Sequence, residues 1–343
     1  MEHRARDEEG TRAAGGRAGR DRLCAALDLG TNNCRLMMAR ATGSGFKVVD
    51  AFSRIVRLGE GLAATGRLSD DAMERTIDAL RQCAGRMARR NISRARTVAT
   101  EACRRATNGA EFLSRVEAET GLALEVISPE EEAGLALAGC APLLKPEKPA
   151  AVVFDIGGGS TEILWIETGR DGTPRLRDSV SLPHGVVTLS DRFGGAAICP
   201  DTYQKIRREI FDALSDFDAR HRIGRRVADG EVDLLGTSGT VTTVAGVHLC
   251  LGRYDRRRVD GATIDFETVH EVAEMLGRMS NDDRGSHPCI GEARADLVVP
   301  GCAVLAGICD RVPVGSLTVA DRGVRDGILL GLFAGRRARP RLS

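Results

Sequence analysis

From residue 23 onward, short apolar runs ending in polar turns alternate with segments of helical periodicity. The run 23–27 leads into Asp28-Leu29-Gly30-Thr31-Asn32-Asn33, and a second apolar run, 34–39, follows it. That layout predicts strand, tight turn, strand. It returns further on, where 151–154 leads into Asp155-Ile156-Gly157-Gly158-Gly159-Ser160-Thr161-Glu162 and then 163–166. Between the copies the pattern predicts a strand at 46–52 and a helix over 69–89 with Met73, Ile77, Leu80 and Met87 on one face. It continues with a strand at 97–99, a helix near 110–119, a strand over 122–127 and a helix starting after Ser128. The second half reads as a strand near 179–182, one helix over 201–220 and a strand at 232–235. Helices near 240–250, 266–279 and 298–310, a strand at 316–319 and a helix at 323–333 complete it.

Alternating strands and helices place the chain in the α/β class. Two copies of apolar-Asp-(Leu/Ile)-Gly at domain spacing predict a duplicated domain rather than a solenoid, whose period would be about 20–50 residues. The segment 143–149 (LLKPEKP) carries two prolines and marks the boundary, giving lobe I over 23–142 and lobe II over 143–333. Residues 1–22 mix both charge signs with Gly and Ala and read as a disordered tail, and 334–343 reads as a basic, frayed one.

Composition narrows the function classes. The 343 residues carry 49 Lys+Arg against 48 Asp+Glu, a net charge of +1 that argues against a general nucleic-acid partner. Any anion site must therefore be a local arrangement of arginines and backbone N–H groups. No window reaches about 18 consecutive apolar residues, so no membrane partner is expected. The N-terminus lacks the apolar core of a signal peptide. The ten cysteines are scattered without C-x-x-C pairs, which suits free thiols in a reducing, cytoplasmic setting.

A phosphate needs several donors converging in a small space, and glycines let backbone N–H groups approach its oxygens. Gly157, Gly158, Gly159, Ser160 and Thr161 fit that need, with Asp155 placed to hold Mg²⁺ or orient a water; the alternative is a hairpin turn needing only positive φ. Gly30, Thr31 and Asn32 gain weight from being paired with the later copy. A third turn, Gly236-Thr237-Ser238-Gly239-Thr240, puts a helix N-terminus beside a strand end, either as an anion site or as a plain cap by Ser238 or Thr240.

In Ser128-Pro129-Glu130-Glu131-Glu132, Ser128 reads as the N-cap and Glu131 as its capping-box partner. Glu130 is a first-turn acid, which leaves Glu132 as the free carboxylate for a general base. Arg35, in an apolar strand, and Arg104, in TEACRR, qualify as bidentate phosphate clamps. The six histidines show no metal-ligand spacing.

The three turns together resemble the actin, hexokinase and heat-shock-chaperone ATPase superfold. Within it, DIGGGSTE at 155–162 combined with ISPEEEA at 127–133 resembles the exopolyphosphatase/guanosine pentaphosphate phosphatase (Ppx/GppA) family. Segments 99–104, 181–185 and 323–329 match as well. The resemblance implies two actin-like, ribonuclease-H-like lobes with the site in the cleft between them. It places the catalytic glutamate at Glu132, a phosphate-binding arginine at Arg104, and metal-associated acids at Asp155 and Glu162, with Asp28 beside them.

The expected activity is Mg²⁺-assisted release of orthophosphate from inorganic polyphosphate, with guanosine pentaphosphate as the alternative substrate. A kinase or nucleotide sensor on the same superfold is the competing class. A homodimer stays open. Gly134 stands where many relatives carry arginine, and His184 where an apolar residue is usual.

Overall fold

The computed structural model describes residues 23–43 and 45–335. The expected tail 1–22 and positions 336–343 of the expected C-terminal tail lie outside them. Two mixed sheets form the framework. The first contains β1 (Leu23–Leu29), β2 (Asn33–Thr42), β3 (Gly45–Ile55), β4 (Arg94–Ala99) and β5 (Glu125–Val126), in the order β3-β2-β1-β4-β5. The second contains β6 (Ala150–Ile156), β7 (Thr161–Thr168), β8 (Pro174–Leu182), β9 (Val232–Thr237), β10 (Thr263–Asp265) and β11 (Ser316–Ala320), in the order β10-β11-β9-β6-β7-β8.

Each sheet opens with an antiparallel meander and then adds parallel strands on the other side of its first strand. The sequence duplication is therefore a duplication of topology. The first strand of each sheet is apolar at nearly every position and buried on both faces, as a strand covered by helices requires. Each ends in an aspartate at the sheet's C-terminal edge, where ligands of open α/β sheets gather.

Each sheet has its own core: Leu27, Leu36, Ile77, Leu80 and Phe112 in the first, and Val152, Phe154, Trp165, Leu234 and Leu305 in the second. The helix Pro129–Cys140 is apolar on both sides and joins them. Leu135 and Ala136 pack toward the first sheet, while Ala133, Leu137 and Cys140 pack toward the second. The last helix, Val324–Phe333, lies where it was expected and packs on the first sheet. Val324, Ile328 and Leu329 pack with Cys24, Ala26 and Val98 of the first sheet, so the chain crosses back. Gly327 permits that crossing, since a Cβ there would lie 2.1 Å from the Leu135 carbonyl oxygen.

Two expected elements differ. The helix expected over 201–220 is split into Pro200–Ala213 and Ser215–His221. The Arg311 guanidinium takes the Phe211 carbonyl at 2.7 and 3.0 Å, withdrawing it from the helical ladder. The strand expected over 122–127 shrinks to Glu125–Val126, because the Thr97 hydroxyl takes the Ala123 carbonyl at 2.5 Å. All ten cysteines are free thiols. Among the described residues, no helix is long and apolar enough to cross a membrane.

Candidate active site

The loops leaving β1, β4, β6 and β9 meet in a cleft between the sheets. Its walls carry Asp28, Gly30, Thr31, Asn32 and Arg35 from the first hairpin and Glu101 and Glu132 from the first lobe's helices. Asp155, Gly157, Gly158, Gly159, Ser160 and Glu162 come from the second hairpin, and Ser238 and Gly239 from the third turn. A second cavity continues from the first, sharing Asp28, Arg35, Asp155, Ser238 and Arg294 and adding Tyr254, Asp321 and Arg325.

The two hairpin turns touch across the cleft. A Cβ on Gly158 would lie 3.0 Å from the Asn32 nitrogen, and one on Gly159 would lie 2.8 Å from the Thr31 hydroxyl. Gly157 donates to the Ser160 carbonyl at 2.8 Å, closing the turn. The carbonyls of Gly157 and Gly158 accept from Val186 and Val187 at the start of the helix Val186–Phe193. The N–H groups of Gly158, Gly159 and Ser160, and those of Thr31 and Asn32, have no acceptor among the described residues. A buried Asn32 Oδ1 also has no hydrogen-bond partner there. Unpaired buried polar groups of this kind call for a polar ligand.

Charge in the cleft is segregated. In the antiparallel register of the first hairpin Asp28 faces Arg35; in the second, Asp155 faces Glu162. Glu162 is held by two hydroxyls, Ser160 at 2.5 Å and Ser181 at 3.0 Å. Burial raises its pKa against those hydrogen bonds. Burial, then the Glu162 charge, pushes Asp155 up to about 7. Glu132 is pushed up to about 8 by burial and by Glu162, against the pull of Arg104. Burial also raises Asp28, opposed by Arg35 and Arg325.

Three arginines supply the opposite sign. Arg35, Arg294 and Arg325 make no ion pair and no side-chain hydrogen bond among the described residues, whereas Arg322, which also lines the second cavity, pairs with Asp260. Burial, then repulsion from Arg35, lowers Arg294 and brings Arg325 down to about 10. The mutual repulsion of converging guanidinium groups is the kind that bidentate contact with an anion such as phosphate relieves.

Several expected ligands are placed elsewhere. Arg104 does not line the cleft; it donates to Glu132 at 2.8 Å, to Glu101 at 3.0 Å and to the Ile127 carbonyl at 2.7 Å, steering Glu132 from behind. Thr161 is fully buried and gives its hydroxyl to the His184 carbonyl at 2.7 Å. Gly236 sits inside β9, where a Cβ would lie 2.4 Å from the Phe154 ring, so its glycine serves packing. Ser238 lines the cleft and also caps the helix Gly239–His248 at 3.1 Å, so the cap is present at a turn that faces the cleft. Its φ of 150° is unusual for a residue with a Cβ, a cost tolerated at sites that need a fixed backbone.

The capping box after Ser128 is half formed. Ser128 accepts from the Glu131 nitrogen at 3.2 Å, but the Glu131 carboxylate turns to Arg96 at 2.7 Å. Arg294 and Arg325 escaped sequence reading. Arg294 ends a single 3-10 turn, Glu292–Arg294, too short to leave a periodic signal, and Arg325 falls in the matching segment 323–329 without a cue to its direction. Ser181 was likewise unassigned; its signal was the SLP segment.

Comparison with known proteins now decides the relationship. A profile of the Ppx/GppA phosphatase family matches residues 37–334. The chain belongs to this family. It is 31% identical over 325 residues to exopolyphosphatase 2 of Mycobacterium tuberculosis, covering 90% of this chain and 98% of that one. It is 28% identical over 315 residues to a putative exopolyphosphatase of Haemophilus influenzae, covering 92% of each. The crystal structure of the Aquifex aeolicus member of the family superposes with a TM-score of 0.74 at 28% identity, covering 92% of this chain and 98% of that one. The fold is thus the actin-like arrangement of that family. The first turn precedes the matched span, so its part in the site rests on the duplicated topology and the cleft itself.

Proposed function

We propose that the chain is an exopolyphosphatase, releasing orthophosphate from the end of inorganic polyphosphate, with guanosine pentaphosphate as the alternative substrate of the same site. The observation that carries this reading is the cleft's charge division. Free N–H groups and three unpaired arginines stand beside the carboxylates of Asp28, Glu132, Asp155 and Glu162, the arrangement that cleavage of a phosphoanhydride needs.

The terminal phosphate would sit between the Gly30–Asn32 and Gly157–Ser160 turns, accepting from their N–H groups. The next phosphates would lie against Arg35, Arg294 and Arg325, which stabilise the charge that develops on the leaving oxygen. Glu132 would orient the attacking water and take its proton. Its carboxylate is fixed for this by Arg104, leaving one oxygen for the water. A kinase would need an acceptor alcohol and protection from water, whereas Glu132 on the cleft wall favours water.

The donor set fits Mg²⁺. Asp28, Asp155 and Glu162 offer only oxygen, and their mutual repulsion is relieved by a hard cation. Among the described residues no three of His, Cys, Asp or Glu stand at direct ligating spacing, so these carboxylates would share the ion with the phosphates. When bound, it would neutralise phosphate charge. The test is phosphate release, with no acceptor present, from polyphosphate and from guanosine pentaphosphate side by side. Greater catalytic efficiency on polyphosphate supports the proposal; greater efficiency on guanosine pentaphosphate selects the alternative, and release from neither overturns both.

A further inference from the structure

The loop 56–61, which leaves β3, carries none of the sequence motifs, yet it reaches three parts of the cleft. Its backbone holds the first turn: Val56 and Arg57 donate to the Asn32 carbonyl at 2.8 and 3.1 Å, and Gly59 donates to the Thr31 carbonyl at 3.0 Å. The fit is tight, since a Cβ on Gly59 would lie 2.2 Å from the Thr31 methyl. At its far end the Gly61 nitrogen donates to Asp191 at 2.9 Å. Asp191 belongs to the helix Val186–Phe193, whose first N–H groups hold the Gly157 and Gly158 carbonyls of the second turn.

Between those ends, Arg57 crosses to the second lobe. It grips Asp296 with both nitrogens, at 2.7 and 2.9 Å, and donates to the Ala293 carbonyl at 3.1 Å. These two anchor points bracket Arg294, which ends the 3-10 turn Glu292–Arg294. Arg57 adopts the left-handed region, with φ at 48°, and Gly61 does so at 71°. A bulky residue holds φ > 0 only where its surroundings over-determine it. The base of the loop is pinned in turn, as Arg75 donates to the Val56 carbonyl at 3.2 Å and to Glu60 at 2.8 Å.

We propose that Arg57 is a positioning residue: by fastening Ala293 and Asp296 from the loop that also holds the first glycine turn, it sets Arg294 against the phosphates. This rests on the proposed phosphoanhydride site. Arg57 itself lines neither cavity and touches no substrate. Its bidentate contact is of the kind that lysine cannot reproduce.

The experiment measures tripolyphosphate binding by calorimetry on the full chain, so that it does not depend on turnover. Variants are Arg57→Ala, Asp296→Ala and Arg294→Ala, the double variant Arg57→Ala/Arg294→Ala, and Arg81→Ala as a control that breaks a distant surface ion pair. Arg57→Ala and Asp296→Ala should each weaken binding on the order of tenfold, within the usual range of coupling between sites. Added to Arg294→Ala, the Arg57 change should cost less than about twofold more, because both act through one guanidinium. Arg81→Ala should bind as the parent does.

Unchanged affinity in both Arg57→Ala and Asp296→Ala overturns the proposal. So does full additivity with Arg294→Ala, which would mean that Arg57 acts on general stability. Phosphate release from polyphosphate by the parent chain is followed in parallel. If the parent binds and hydrolyses but the variants match it, the positioning role alone is lost. If the parent neither binds tripolyphosphate nor releases phosphate, the reading of the cleft fails with it.

Discussion

The hairpins β1–β2 and β6–β7 share strand order, register and a glycine turn, and differ in one charge. Asp28 faces an arginine, Arg35, while Asp155 faces a glutamate, Glu162. One backbone solution, used twice, thus presents a wall bearing Arg35 and a wall bearing Asp155 and Glu162 to the same cleft. Their surroundings follow suit. Arg294 and Arg325 gather beside Arg35, whereas Ser160 and Ser181 donate to Glu162. Duplication supplies the two walls, and a single position on the second strand of each hairpin decides what each wall attracts. The other half of the lesson concerns Glu132, which belongs to neither hairpin. It rides on the helix Pro129–Cys140 between the sheets and so reaches the meeting point of both walls.

The largest effect should come from that meeting point. Glu132→Gln should lower turnover on polyphosphate by at least about a hundredfold, since loss of a general base costs roughly 10²–10⁴. On the acidic wall, Asp155→Asn and Glu162→Gln should abolish the response to added Mg²⁺ after EDTA treatment. A variant that still loses activity to chelator and regains it with Mg²⁺ would remove the division of labour. On the opposite wall, Arg35→Lys should weaken substrate binding although charge is kept, because the bidentate contact is lost. A lysine variant with the parent's KM would mean that Arg35 acts only as a point charge.

The pH profile separates the walls further. Glu132 works as a base only when ionised, so kcat/KM should climb with pH through about 8. Arg104→Gln removes the charge that favours the ionised form, and the rise should move to higher pH. An unmoved profile would show that Arg104 does not govern Glu132. The smallest effect is expected at Glu131→Gln. It weakens a part-buried charged hydrogen bond with Arg96, at a cost in stability on the order of 1 kcal/mol, and should leave turnover intact.

Much of this was legible in the residues. Both hairpins and the boundary of the helix after Ser128 follow from apolar runs, glycine turns and capping geometry, whereas the Glu131 carboxylate leaves the expected box for Arg96. Such runs and turns are local signals, and local signals survive folding. What stayed hidden is non-local. Gly236 reads like the cradle glycines until β9 packs it on Phe154. Arg104 reads like a phosphate clamp until the fold brings Glu101 and Glu132 to it. The split of the 201–220 helix depends on Arg311, far along the chain. Arg294 and Arg325 gain their meaning only from Arg35, which no spacing rule connects to them.

The account's central claim is that Glu132 activates water at a site where the two walls have already bound the phosphates. It is tested most directly by measuring phosphate release from polyphosphate and tripolyphosphate affinity on the same preparation of Glu132→Gln. The account predicts turnover at least about a hundredfold lower than the parent's with affinity unchanged. Turnover near the parent's value, or activity and affinity falling together, would contradict it.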